Sequence, residues 1–530
     1  MDINIKYQKW NKKDYQLFNQ SCKKFLDFKN IQFYQPYFSL FFHIYNSKNA
    51  NKCIDLDNSN VIQKIINNEE ISHTTSNSFV DVLLFKKKHK IISNEKLFCK
   101  CIPLIDPYNY LMNNYNLKSN ICLPSNYSYN TYHKINNINN NAYIDTFFSY
   151  ICSKITENDI LPSFPIYYGS FNGIRKKFYY DITEDYSNLK SNPWFYKSLG
   201  KLFNLNIYDS DSDSDSNDDS DSNDDSDSND DSNDDSDSND DSNDDSNDDS
   251  DSNDDSNDDS NDDSNDDSND DSDSMFSNFS DYNSDYIIEL FDIPCQCFLI
   301  EKLEGTLEDL LSDNIDDLNI DLLLSCIFQI SFSLNYLQKC FKFTHNDLHI
   351  NNVMFKKTEK TFLYYKFNNQ YFKIPTYGYI FKIIDFGRAI FTFHNKLYFN
   401  DNFEKYGEAE GQFILPFNHL LFNHNETIKN KFFQNYHFDL CRLAITILDV
   451  IDYNSNINYK EKQKFIDFIY QMTIDKNNNS LFNLYDDFNM YIEITNKANN
   501  ALPNKIIQNK IFNQFKVKKK KFPKKSYYHL

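Results

Sequence analysis

Apolar positions along this chain follow two different periods. Ser78-Phe79-Val80-Asp81-Val82-Leu83-Leu84-Phe85 and Lys96-Leu97-Phe98-Cys99-Lys100 are short runs rich in β-branched and aromatic residues, and they predict strands. Phe164-Pro165-Ile166-Tyr167-Tyr168 and Cys297-Phe298-Leu299-Ile300 read the same way. Within Ala142 to Ile155, Ile144, Phe147, Phe148, Ile151 and Ile155 fall at helical spacing instead. Leu323, Leu324, Ile327, Ile330, Leu334 and Leu337 mark a long buried-face helix over Asn319 to Cys340, and Phe438 to Val450 predicts another. Short strands at Val353-Met354-Phe355 and Phe381-Lys382-Ile383-Ile384 lie between those helices. A strand-rich half followed by a helix-rich half predicts an α+β chain with two lobes.

From Asp209 to Ser274 both periods stop. These 66 residues are Asp, Ser and Asn only, 33 of them Asp. With no apolar side chain to offset the entropy of ordering, the tract is expected to be a disordered, self-repelling loop. It separates two strand-like runs, so it reads as an insertion within one domain. The tract also explains the formal charge of −24, because outside it 45 acidic residues face 54 basic ones. An inert expanded repeat and a site for serine phosphorylation or basic partners both fit it. Lys516 through Lys525 has the opposite sign and reads as a solvated tail, with nucleic acid expected only there if anywhere. The expected organisation is an N-terminal extension over 1–69, with an aromatic cap at Ile31 to Tyr45, a main domain over 70–490 and a basic tail over 491–530.

Composition narrows the class further. No window approaches the roughly 18 apolar residues of a membrane span, and the start Met1-Asp2-Ile3-Asn4-Ile5-Lys6 is too polar for a signal peptide. The 11 Cys are scattered, which fits a reducing compartment, so a cytoplasmic protein is expected. Cys99/Cys101 and Cys295/Cys297 sit in strand-like runs and do not read as a zinc site. With 8 Gly and only three Arg (Arg175, Arg388, Arg442) against abundant Asn, Lys, Ile, Phe and Tyr, each Gly and Arg carries more information than usual.

The chemistry concentrates in two segments. In His345-Asn346-Asp347-Leu348-His349-Ile350-Asn351-Asn352, an Asp and an Asn stand five apart, after a long helix and before a short strand. Ile383-Ile384-Asp385-Phe386-Gly387 places a second Asp at a strand end. In this order the two are similar to the H-R-D-L-x-x-x-N and D-F-G motifs of protein kinases. Over roughly residues 70 to 490 the chain resembles a eukaryotic-type protein kinase, in particular the divergent kinase-like proteins of giant DNA viruses.

That resemblance implies a bilobal protein-kinase-like fold, a small β-rich N-lobe and a larger, mainly helical C-lobe, with ATP and Mg2+ as cofactors. Asp347 is then the base, and Asn352 and Asp385 are metal ligands. Lys100 contacts the α- and β-phosphates, with Asp145 as its acidic helix partner and Glu157 as the alternative. Ile300 is the gatekeeper, and backbone groups around Glu301 and Leu303 face the adenine. Thr75, Asn77 and Val80 lie where phosphate-loop glycines belong, with Val82 as the valine of that loop. Asp439 braces the catalytic-loop backbone.

Departures from the pattern matter equally. Residues 1–100 contain no Gly. Asn346 stands where an Arg commonly precedes the base, so switching by activation-loop phosphorylation is not expected. His349 replaces a Lys that meets the transferring phosphate. Thr361 to Tyr365 and Tyr371 to Ile374 predict an extra hairpin before Asp385, and Gly407 to Gln412 stands where A-P-E belongs. A Ser/Thr protein kinase is the favoured reading. A small-molecule kinase resembling aminoglycoside phosphotransferases and a pseudokinase scaffold stay open, and the protein substrate is not legible.

Overall fold

The β-branched and aromatic runs assemble into one seven-stranded sheet. The structure, a computed structural model, describes residues 7–9, 12–33, 36, 54–56, 58–72, 74–115, 123–124, 133–209, 284–312, 319–404, 407–413, 434–452, 459–482 and 487–530. In chain order the strands are β1 (Phe28–Gln32), β2 (Asn60–Glu70), β3 (Ser78–Lys86), β4 (Ile91–Pro103), β5 (Tyr167–Asp181), β6 (Phe203–Asp209) and β7 (Ser284–Glu301). Their spatial order is β1-β5-β7-β4-β3-β2, with β6 also pairing with β7. Neighbours along that path are antiparallel.

The sheet curls into a half-barrel. β3 and β5 are not neighbours in it, yet Ser76, just before β3, accepts from the Tyr179 N–H at its Oγ at 2.7 Å and from Arg175 at its carbonyl at 2.5 Å. Both Cys-x-Cys pairs lie on one face, with Cys101 directly opposite Cys297, and all four cysteines are buried and free. Helix α1 (Lys12–Phe25) packs there through Phe18, whose ring meets that of Phe171 at 5.7 Å.

Helix α2 (Asn141–Glu157) starts where the Asn140 side chain accepts from the Ala142 N–H, and nearly all its side chains are buried. Helix α3 (Ile320–Phe341) is long and apolar enough to cross a membrane, but 83% of its most apolar window is buried inside the protein, as suits a core helix. Small strands β8 (Gly305–Thr306), β9 (Val353–Lys357) and β12 (Tyr379–Ile383) form a three-stranded sheet that sets residues 345–352 and 384–387 side by side. Between β9 and β12 lies a hairpin of β10 (Phe362–Phe367) and β11 (Gln370–Pro375). Its two turn residues, Asn368 and Asn369, have φ of +45° and +63°, the left-handed pair that such tight turns require. Helices α4 (Phe438–Asp452), α5 (Tyr459–Met472) and α6 (Asp487–Lys497) follow.

Two expected boundaries cut through this architecture. The limit at 69/70 falls at the end of β2, an integral strand, and β1 is also part of the sheet. The limit at 490/491 falls inside α6. Every lysine of the expected solvated stretch, Lys516 to Lys525, is exposed, but the chain on either side of it is packed. Ile494, Ile507 and Phe512 are buried, Phe512 meets Phe328 at 5.2 Å, and β13 (Tyr528–His529) runs parallel to β10. Apart from Asp209, the Asp/Ser/Asn tract lies outside the described residues, as does most of Ile31 to Tyr45. The described residues of Met1–Ile207 and Tyr286–Leu530 form one compact unit.

Candidate active site

Alternation along β4 turns Lys100 to the face opposite Cys99 and Cys101, where α2 brings up Asp145. Lys100 Nζ stands 2.7 Å from Asp145 Oδ2 and 2.8 Å from Asp385 Oδ1. The other oxygen of Asp145 accepts from the Phe386 N–H at 2.9 Å, so one carboxyl ties the lysine to the Asp-Phe-Gly turn. Burial opposes charge on Lys100, but the two carboxylates outweigh it and its pKa is raised. Partial burial also pushes against the Asp385 carboxylate, yet Lys100 holds its pKa down at about 2. Asp145 is raised, because its burial and the nearby Asp385 charge exceed what Lys100 returns. Glu157 pairs with Lys154 at 2.7 Å and does not meet Lys100. A Cβ at Gly387 would stand 2.7 Å from Asn141 Oδ1, so that side chain would have to shift to admit one.

The 345–352 loop is held from below by α4. Asp439, fully buried, accepts from the N–H groups of His345 and Asn346 at 3.0 Å each. Asn346 takes φ +62°, a conformation that Asn tolerates better than most residues, and its amide donates to the Arg388 carbonyl at 2.9 Å. Asn352 Nδ2 donates to the Asp347 carbonyl at 2.8 Å and lies 2.9 Å from His349 Nε2. The Ile384 N–H donates to the Asn352 carbonyl at 3.1 Å, joining the loop to the strand end that carries Asp385. Burial lowers the pKa of His349, which disfavours a cationic ring at the place where the resemblance puts a lysine.

A cavity of about 160 Å3 opens beside Lys100, walled by Asn77, Phe98, Asp145, Ile300 and Asp385. A separate cavity of about 550 Å3 is lined by Asp106, Lys134, Asp401 and Glu404 and contains none of the site's side chains. Val82 is not part of the Lys100 site. It pairs with Glu95, on the sheet face of Leu97 and Cys99, and is fully buried there, as is Val80. The residue facing Phe98 is Phe79, whose ring meets it at 5.9 Å while Lys302 Nζ sits 4.4 Å from the Phe79 centroid. A motif laid on by its valine is one residue out of phase with the pleat. Thr75 and Asn77 do lie in the β2–β3 loop, but their polar groups are engaged locally. The Asn77 N–H donates to Thr75 Oγ1 at 3.2 Å, and Asn77 Oδ1 accepts from the Cys101 N–H at 2.9 Å. Glu301 turns its carboxylate onto Lys356 and Lys382, its N–H donates to the Ile166 carbonyl at 2.8 Å, and Leu303 is buried.

Sequence reasoning did not single out Tyr491. Its hydroxyl donates to Asp347 Oδ1 at 2.5 Å, and Arg388 Nη1 is 3.9 Å from the same oxygen. One tyrosine among 38 gives no signal of its own. The scarce arginines were the available clue, since Arg388 and Arg442 both stack on this ring.

The sequence matches no protein-family profile. It is 38% identical over 89 residues to a probable serine/threonine-protein kinase of Dictyostelium discoideum, a stretch that is 16% of this chain and 7% of that protein. The crystal structure of a kinase domain aligns at 29% identity over 18% of this chain and 30% of the other, with a TM-score of 0.13. The chain therefore spans well under two thirds of either protein. The local sequence likeness is to kinases. A mixed α/β fold with a curled half-barrel is compatible with it, while an overlay at that TM-score adds nothing.

Proposed function

We propose that this chain is a bilobal, protein-kinase-like phosphotransferase that moves the γ-phosphate of ATP to a hydroxyl, as a divergent Ser/Thr kinase. The observation that carries this reading is Lys100 bridging Asp145 and Asp385 beside a loop in which Asn352 grips Asp347. The donor set suits magnesium. Asp385 is held ionised, and the Asn352 amide nitrogen is engaged inside the loop, so its carbonyl is the end that remains for a hard cation. A bound magnesium would supply charge neutralisation of the phosphates. Lys100 binds the non-transferred phosphates, and Asp347 accepts the proton of the acceptor hydroxyl.

A nucleotide-binding scaffold without transfer is the second reading. It is favoured by the small cavity, below the roughly 300 Å3 usual for a ligand site, and by a β2–β3 loop whose polar groups bond to the protein itself. Titrating magnesium–nucleotide into the protein and then assaying transfer to peptides and small alcohols tests both. Asp347→Ala is expected to lower transfer by about 10²–10⁴-fold with nucleotide binding kept, and Asp385→Ala to lose magnesium-dependent binding. Unchanged turnover in Asp347→Ala refutes the assignment of the base.

A further inference from the structure

Asp347 is fixed at its backbone by Asn352 and through the neighbouring N–H groups by Asp439, but its carboxyl needs separate orientation. Only one oxygen of a carboxylate base can face an acceptor, and small errors of angle are costly to rate. The Tyr491 hydroxyl grips Oδ1 at 2.5 Å, a short charge-assisted bond. The ring itself is clamped. The guanidinium carbons of Arg388 and Arg442 lie 5.2 and 5.1 Å from its centroid, and the Phe438 ring is at 5.9 Å. Arg388 is anchored in turn on Glu408, and Arg442 Nη1 reaches Met490 Sδ at 3.9 Å. The C-terminal end of α6 is pinned by Asn435, whose amide donates to the carbonyls of Ile494, Thr495 and Ala498. Two of the chain's three arginines thus hold one phenol against one carboxylate.

We propose that Tyr491 is the positioning residue of the base, holding Oδ1 of Asp347 so that Oδ2 meets the acceptor hydroxyl. This rests on the phosphotransfer reading above. In the step, the acceptor proton passes to Oδ2 and the acceptor oxygen bonds to phosphorus. The bond from phosphorus to the ADP oxygen breaks, and Tyr491 keeps its proton throughout. A rigid, doubly stacked ring fits this role better than that of a mobile plug over the base.

Tyr491→Phe in the full chain keeps the ring and removes only the hydroxyl. Its kcat is expected to fall about 10–100-fold, the order of lost orientation at a general base, with the KM for nucleotide unchanged. Arg442→Gln, which loosens the ring but leaves the hydroxyl, should lower kcat in the same direction by less. An active wild type whose kcat is unchanged in Tyr491→Phe overturns this proposal alone. A rise in kcat/KM for the acceptor also overturns it, and would make Tyr491 an occupant of the acceptor's place. A wild type that transfers phosphate to no acceptor overturns the phosphotransfer reading and this proposal together.

Discussion

Replacing Lys100 by Met keeps the length of the side chain and deletes its charge, leaving Asp145 without a cation. The Asp145 side chain is 1% exposed, so water cannot take the place of the ammonium. Removing one partner of such a pair destabilises by about 3–5 kcal/mol. The second pair adds little, because the Asp385 side chain is 41% exposed and screened. Asp145→Asn in the same background removes the stranded charge, so the double variant should lie within about 1–2 kcal/mol of wild type, a coupling well above the error of additivity.

The pH dependence has a definite sign. Without Lys100, burial raises the folded pKa of Asp145 further above its unfolded value of roughly 3.9. Such a group favours the fold below the unfolded value and loses that contribution as pH rises through the folded value. The deficit of Lys100→Met should therefore be larger at pH 8 than at pH 5. Urea unfolding of the wild type, both single variants and the double variant at the two pH values measures this. Additive single effects, or equal deficits at both pH values, would refute the claim that a buried charge pair is what Lys100 secures.

Asp439→Ala strands the His345 and Asn346 N–H groups in the core, at about 1–3 kcal/mol each, and should lower the thermal midpoint while abolishing transfer. An unchanged midpoint would show the brace to be dispensable. Gly387→Ala drives a Cβ against Asn141 Oδ1 and should weaken nucleotide binding. Asn141→Ser in the same chain should restore much of the loss, and failure of that rescue would point to backbone conformation instead of crowding. Replacing Ser210 to Ser274 by a short Gly-Ser linker should leave the thermal midpoint within about 2 °C, the shift that roughly 2 kcal/mol makes in a unit of this size, and leave transfer unaltered. A large drop would mean the tract contributes to folding.

What the sequence made legible was local. The helices over 141–157 and 320–341, the hairpin around Asn368 and the two motif segments each depend on neighbours a few residues apart, and the structure has them within a residue or two of where the pattern put them. Preferring Asp145 over Glu157 needed only their places in the helical run, the first inside it and the second near its end. What was not legible depended on pairing across the chain. Whether Val82 or Phe79 faces Lys100's side of the sheet is decided by the register of β3 on β4, which one motif residue cannot supply. The tail was obscured by composition, because its lysines outweigh Ile494, Ile507 and Phe512 in any average, yet those three fix its path. Tyr491 meets Asp347 across 144 residues, and no periodic pattern spans that distance.

The order of strands in the half-barrel has a further consequence. β7 lies at the centre, between β4 and β5, although it follows the Asp/Ser/Asn tract in the chain. During synthesis the middle of the sheet is therefore the last part to arrive, and the earlier strands must wait with unpaired edges until it emerges. Closing a flexible loop grows dearer only logarithmically, by about 0.6 kcal/mol for each doubling in length. Growth or shrinkage of the repeat would accordingly be almost invisible to equilibrium stability, and its toll would fall on the time the half-built sheet stays open to aggregation.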